Sequence, residues 1–121
     1  MRPHDPPLPE PVAAFVRAVN AGDVEALVGT FASHALVNDQ LHEYWDTDAI
    51  ASWAARDVVG VRLSMRIRNA IIHHAQTVVT AEVEGEFDRR GLPEPLVLTF
   101  YFSSHDDRLI QLLILRNAID T

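Results

Sequence analysis

The chain has no cysteine. That excludes a disulfide scaffold and thiolate chemistry, and it fits a reducing compartment. Glycine is also scarce, five in 121 residues, and no Gly-rich loop of the phosphate-cradling kind occurs. No apolar run reaches the roughly 20 residues that a helix needs to span a bilayer. The first residues lack the basic start and apolar block of a secretion signal. A cytoplasmic protein with no membrane partner is therefore expected. Positive charge is short as well: 10 basic residues face 17 acidic ones, for a net charge of −7. Phosphate backbones demand clustered positive charge, so nucleic acid is excluded as a partner. Six histidines are present, but His73 and His74 are adjacent and are expected on opposite faces of a strand, and His34 and His42 lack a chelating spacing. No metal and no cofactor are expected.

What is present is a run of apolar stripes. Residues 1–10 hold several of the seven prolines and read as an irregular or disordered lead-in, followed by one domain over residues 11–121. Val12, Phe15, Val16 and Val19 recur on a 3.6-residue period and predict a helix. Gly22 can close it in the left-handed conformation, and Asp23 is a natural N-cap for a second helix carrying Val24, Leu27, Val28 and Phe31. A short strand is expected over 35–39. A third helix, capped by Asp46 or Thr47, carries Ile50, Trp53, Ala54 and Val58 and ends at Gly60.

From Val61 the period changes to two. Val61, Leu63, Met65 and Ile67 alternate with Arg62, Ser64, Arg66 and Arg68. Residues 80–87 alternate again, with Glu82, Glu84 and Glu86 on one face. Two mostly apolar strands follow, over 95–104 and from Leu109 onward, joined by a polar hairpin at 105–108. The order predicts an α+β fold: a curved antiparallel sheet covered on its concave side by three helices.

The phrase Asn20-Ala21-Gly22-Asp23, then Phe31 and an acidic strand ending at Asp39, resembles the SnoaL-like branch of the nuclear-transport-factor-two-like superfamily. Tyr44, Thr47, Ile50 and Trp53 match that branch's later phrase of an aromatic, a turn and a capped helix. Relatives often carry Gly just before that helix, where this chain has Asp46. The resemblance implies a sheet wrapped as a cone around a pocket. Its members include ketosteroid isomerases, polyketide cyclases, epoxide hydrolases, dehydratases and non-catalytic association modules, so fold alone settles no function.

Within the resemblance, Asp39 falls where ketosteroid isomerases hold their general base. A carboxylate among apolar groups suits proton abstraction next to a carbonyl. The isomerase's other partners are missing. Phe15 stands at the tyrosine-like position and Thr99 is nearest to the late-strand aspartate, so ketosteroid isomerase chemistry is disfavoured. The Asp-Arg-Asp arrangement of the epoxide hydrolases also has no match. The remaining expectation is a small, largely apolar molecule bound beside Asp39, with Phe15, Val19, Tyr44, Trp53, Thr99 and Tyr101 facing it. Isomerase, cyclase or dehydratase chemistry would then follow. The alternative is a non-catalytic module whose cone is filled by Phe15, Val19, Phe31, Trp53 and Phe100. In either case the rows Arg62, Arg66, Arg68 and Glu82, Glu84 are expected to pair across strands and to mark a homodimer interface on the convex sheet face.

Overall fold

The computed structural model describes residues 8–116. The expected lead-in therefore lies outside the described residues up to residue 7, as does the chain after Arg116.

Helix α1 spans Glu10–Ala21 and buries Val12, Phe15, Ala18 and Val19. Pro11 sits in its first turn, where a missing N–H leaves no bond unmade. The helix closes as its sequence predicts. Gly22 adopts φ 66° and ψ 38°, its N–H donates to the Val19 carbonyl at 3.1 Å, and the Asp23 N–H donates to Ala18 at 3.0 Å. Asp23 then caps α2 (Val24–Gly29), its carboxylate accepting the Ala26 N–H at 3.0 Å. Asn20 has a separate task. Its side-chain amide accepts the Met65 backbone N–H at 2.7 Å and donates to the Met65 carbonyl at 3.1 Å. It therefore pairs with a strand as another strand would, and fixes α1 across the sheet.

The second helix is shorter than its stripe suggests. The Thr30 hydroxyl donates to the Leu27 carbonyl at 2.7 Å, and the Leu109 N–H reaches the Thr30 carbonyl at 2.8 Å. The chain is thereby turned into the sheet, so Phe31 opens β1 (Phe31–Asp39) rather than closing α2. Strand β2 (His42–Trp45) returns beside it. Helix α3 (Asp46–Trp53) follows and widens into a π-helical turn over Ala54–Val59. Neither Asp46 nor Thr47 provides a side-chain cap for α3. Asp46 instead adopts φ 71°, the left-handed conformation a glycine would take there at no steric cost. The Thr47 hydroxyl donates to the Ser33 carbonyl at 3.4 Å.

Strands β3 (Ser64–His73), β4 (Gln76–Glu84), β5 (Leu96–His105) and β6 (Arg108–Arg116) complete one six-stranded sheet of order β2-β1-β6-β5-β4-β3. The sheet is curved and unclosed. It is mixed rather than purely antiparallel, because β6 returns from the far edge to lie parallel to β1. Register shifts interrupt three of the pairings, and such bulges bend and twist a sheet. The core lies on the concave side. Phe15, Trp53, Phe100 and Phe102 are at most 1% exposed, and the Phe15 ring meets Phe102 edge-on at 5.2 Å. Full burial of each such ring contributes about 1.5–3 kcal/mol. Among the described residues, no helix is long and apolar enough to cross a membrane.

Candidate functional site: a cavity in the concave face

The concave face does not close completely over the core. A cavity of about 300 Å³ remains between α1, α3, the π-helical turn and the sheet. Phe15 and Val19 of α1, Trp53 of α3, and Leu98 and Phe100 of β5 form its deep wall. Leu63, Phe87 and Leu92 line it from loops and strand ends. Gly85 lets that side close in: a Cβ there would stand 2.9 Å from the Val61 carbonyl oxygen. Polar groups gather in the lining too, with Asp39, Gln40, Asp57 and Arg116 among the lining residues.

Asp39 is the last residue of β1 and is half-buried. The Trp53 indole N–H donates to its Oδ2 at 3.0 Å, and the Gln40 amide approaches Oδ1 at 3.4 Å. Both donors are neutral, and among the described residues no cation pairs with this carboxylate. Gln40 and Leu41 form the tight turn into β2 with φ 52° and 76°. The Gln40 N–H donates to Ile114 at 2.9 Å, which anchors the turn to β6.

Asp57 faces the same cavity with a different set of partners. Arg56 clamps it with Nε to Oδ1 at 3.2 Å and Nη2 to Oδ2 at 2.9 Å. That hydrogen bonding holds the Arg56 guanidinium above its ordinary value. The Tyr44 hydroxyl lies 3.5 Å from Asp57 Oδ2 and 3.3 Å from Arg56 Nη2. Its ring packs 6.3 Å from Trp53. A shallower depression outside the cavity joins Asp39, Gln40, His42, Tyr44, Arg56 and Asp57.

Of the residues expected to face a substrate, Phe15, Val19 and Trp53 line the cavity beside Asp39, and Tyr44 stands at its rim. Thr99 and Tyr101 do not. Strand alternation puts Leu98, Phe100 and Phe102 inward and Thr99 and Tyr101 on the convex side, where they pair with Thr80 and Leu115, and with Val78 and Leu113. Phe31 packs against Phe15 at 6.1 Å in the core and does not line the cavity. Sequence reasoning missed Asp57, Arg56, Gln40 and Arg116. For Asp57 a signal existed: it follows Trp53 by four residues and Ala54 by three, so a carboxylate occupies the middle of an apolar stripe.

On the convex face, Arg66 and Glu82 are direct cross-strand partners. Arg68 is the extra residue of a bulge between Ile67 and Asn69. Arg66 Nη2 and Arg68 Nε each reach a different oxygen of Glu82 at 2.7 Å. Their hydrogen bonds, Arg68 first, hold the Glu82 carboxyl below its ordinary value. Arg62 is not on the strand, which begins only at Ser64. It lies in a turn with φ 53°, its N–H donating to Val59 at 2.9 Å, and it approaches Glu86 at 3.7 Å. Glu84 makes no ion pair among the described residues. His73 and His74 are not on opposite faces of one strand. His74 turns through φ 57°, and the two rings meet at 4.3 Å.

No protein-family model matches the chain, and no curated protein matches it by sequence. Among solved structures it is similar to a candidate polyketide cyclase of Sinorhizobium meliloti: 28% identity, 89% of this chain and 95% of that one covered, TM-score 0.80. A protein from Catenulispora acidiphila with a ketosteroid isomerase-like fold, in complex with trimethylamine, matches at 18% identity with 90% and 86% covered and TM-score 0.76. The epoxide hydrolase/cyclase-like enzyme SalBIII of pyran ring formation in salinomycin matches at 17% identity, with 89% and 88% covered and TM-score 0.73. The chain therefore has the SnoaL-like, ketosteroid isomerase- and polyketide cyclase-like fold of the nuclear-transport-factor-two-like superfamily.

Proposed function

We propose that the chain binds a small, largely apolar molecule in its concave cavity and that Asp39 acts on it as a general acid/base. The observation that carries this reading is the pairing of an apolar cavity of about 300 Å³ with a carboxylate at its edge held by an indole N–H at 3.0 Å. Such a cavity is at the small end of the range that takes compact organic molecules. An indole N–H orients a carboxylate without neutralising it, and leaves lone pairs free to take a proton from carbon. Isomerase, cyclase and dehydratase chemistry all begin with such a transfer. The similarity to a candidate polyketide cyclase supports the same class.

Exchange of carbon-bound protons tests the base directly. In D₂O, wild-type protein should speed deuterium uptake at C1 of 2-tetralone, followed by NMR, by roughly the 10²–10⁴-fold typical of a positioned base. Asp39→Asn should abolish the effect while keeping an oxygen to accept the Trp53 N–H, so its melt should move little. Equal exchange by wild type and variant would remove Asp39 from the chemistry.

The convex face supports pairing with a second copy of the chain. Val78, Tyr101 and Leu113 line a shallow groove there. Tyr101 is 40% exposed, and Ile71, on the neighbouring edge strand, is 58% exposed. Arg66→Glu sets two like charges opposite each other across β3 and β4. The dimer should weaken in sedimentation velocity at micromolar concentration, and an unchanged sedimentation coefficient would count against this interface.

A further inference from the structure

The arginines of this acidic chain are nearly all spent on partners. Arg17 pairs with Glu10, Arg56 with Asp57, Arg62 with Glu86, Arg66 and Arg68 with Glu82, Arg89 with Glu94 and Arg90 with Asp88. Arg108 donates to the Gly29 carbonyl at 3.4 Å. Among the described residues Arg116 alone has neither an ion pair nor a hydrogen bond from its side chain, and it lines the cavity. Its place there follows from register. Arg116 is the strand partner of Leu98 and lies two residues beyond Ile114, the partner of Asp39, so all four side chains share the concave face.

We propose that Arg116 is the binding group for an anionic oxygen on the cavity's ligand, which makes the ligand class an apolar acid or the enolate of an apolar ketone. This rests on the reading of the cavity as a small-molecule site. A planar guanidinium with no partner is the residue suited to a carboxylate or enolate oxygen. The other side-chain donors in the lining, the Trp53 indole and the Gln40 amide, are both directed to Asp39. Asp39 sits one strand away on β1. An apolar acid is held at Arg116 by its carboxylate without reacting, while a neutral ketone whose carbonyl oxygen rests there presents its adjacent C–H to Asp39. When Asp39 takes that proton, the C–H electron pair moves into the carbonyl, and the new charge on oxygen falls on Arg116. The arginine thus fills the role for which Phe15 and Thr99 offer no adequate donor.

Calorimetric titration with two probes of one shape tests this: 2-naphthoate, which is anionic, and 2-naphthalenemethanol, which is neutral. Wild-type protein should bind the anion about tenfold or more tighter, as a charge-assisted contact implies. Arg116→Gln should erase that preference and leave the neutral probe's affinity unchanged. Arg116→Lys should restore part of it, which a merely structural role would not. Binding of both probes with equal strength, or a preference that survives Arg116→Gln, overturns the assignment of Arg116 and leaves the cavity reading standing. Binding of neither probe at millimolar concentration overturns both.

Discussion

The two faces of β5 both carry large apolar side chains, with opposite consequences. Leu98, Phe100 and Phe102 point inward, where α1 and α3 cover them incompletely and leave a cavity. Val97, Thr99 and Tyr101 alternate onto the outer face, where Tyr101 stays 40% exposed. Hydrophobicity alone does not make a pocket. A pocket needs a second layer held at a distance, and here the reciprocal amide bonds of Asn20 to Met65 hold α1 across one end of the sheet. Among the described residues no such layer lies over the outer face, and its apolar side chains form only a shallow groove.

Adjacent substitutions break this comparison most forcefully. Phe100→Ala removes a ring that is 1% exposed and should cost about 3–5 kcal/mol in urea unfolding. Tyr101→Ala, one residue away, should cost about 1 kcal/mol or less. Similar losses for the two would mean that the faces are not distinct. A medium effect is expected at Gly60, which ends the π-helical turn. A Cβ there would stand 2.6 Å from the Ala55 carbonyl oxygen and 2.7 Å from that of Arg56. Since backbone must shift, Gly60→Ala should cost about 1–3 kcal/mol, and it should displace Asp57, weakening cavity binding while the convex face keeps its properties. The smallest effect sharpens the contrast from outside both faces. Asp46 holds φ 71°, so Asp46→Gly should raise stability by up to about 1 kcal/mol and leave probe binding in the cavity unchanged. A loss of stability would show that its side chain does more than tolerate the turn.

Much of this fold was legible because its signals are local. The Gly22 closure and the Asp23 cap depend only on neighbouring residues, and both appear as read. Three features were not local. Phe31 fits a helical stripe, but the bond from Leu109 to Thr30 draws it into the sheet. The Val61–Ile67 alternation is real, yet its first turn is taken by the close of the π-helix, which removes Arg62 from the strand. The inward face of β5 was ambiguous, since period two separates Phe100 from Tyr101 but does not say which the helices cover. Within the site, Asp39 came from the resemblance and stands at the cavity. Asp57 carried a local signal, a carboxylate within an apolar helical stripe, that went unread, whereas Arg116 required the β1–β6 register, which no local pattern encodes.

Two tryptophans make the decisive measurement simple. Trp53 lies in the cavity wall with its indole N–H on Asp39 at 3.0 Å. Trp45 is 55% exposed, with its N–H on Glu43 at 3.1 Å. In a ¹⁵N-labelled sample the two indole signals can be followed as 2-naphthoate is added. The Trp53 signal should move to saturation while that of Trp45 stays in place. Movement of Trp45 alone, or of neither signal while calorimetry registers binding, would contradict a ligand site in the concave cavity.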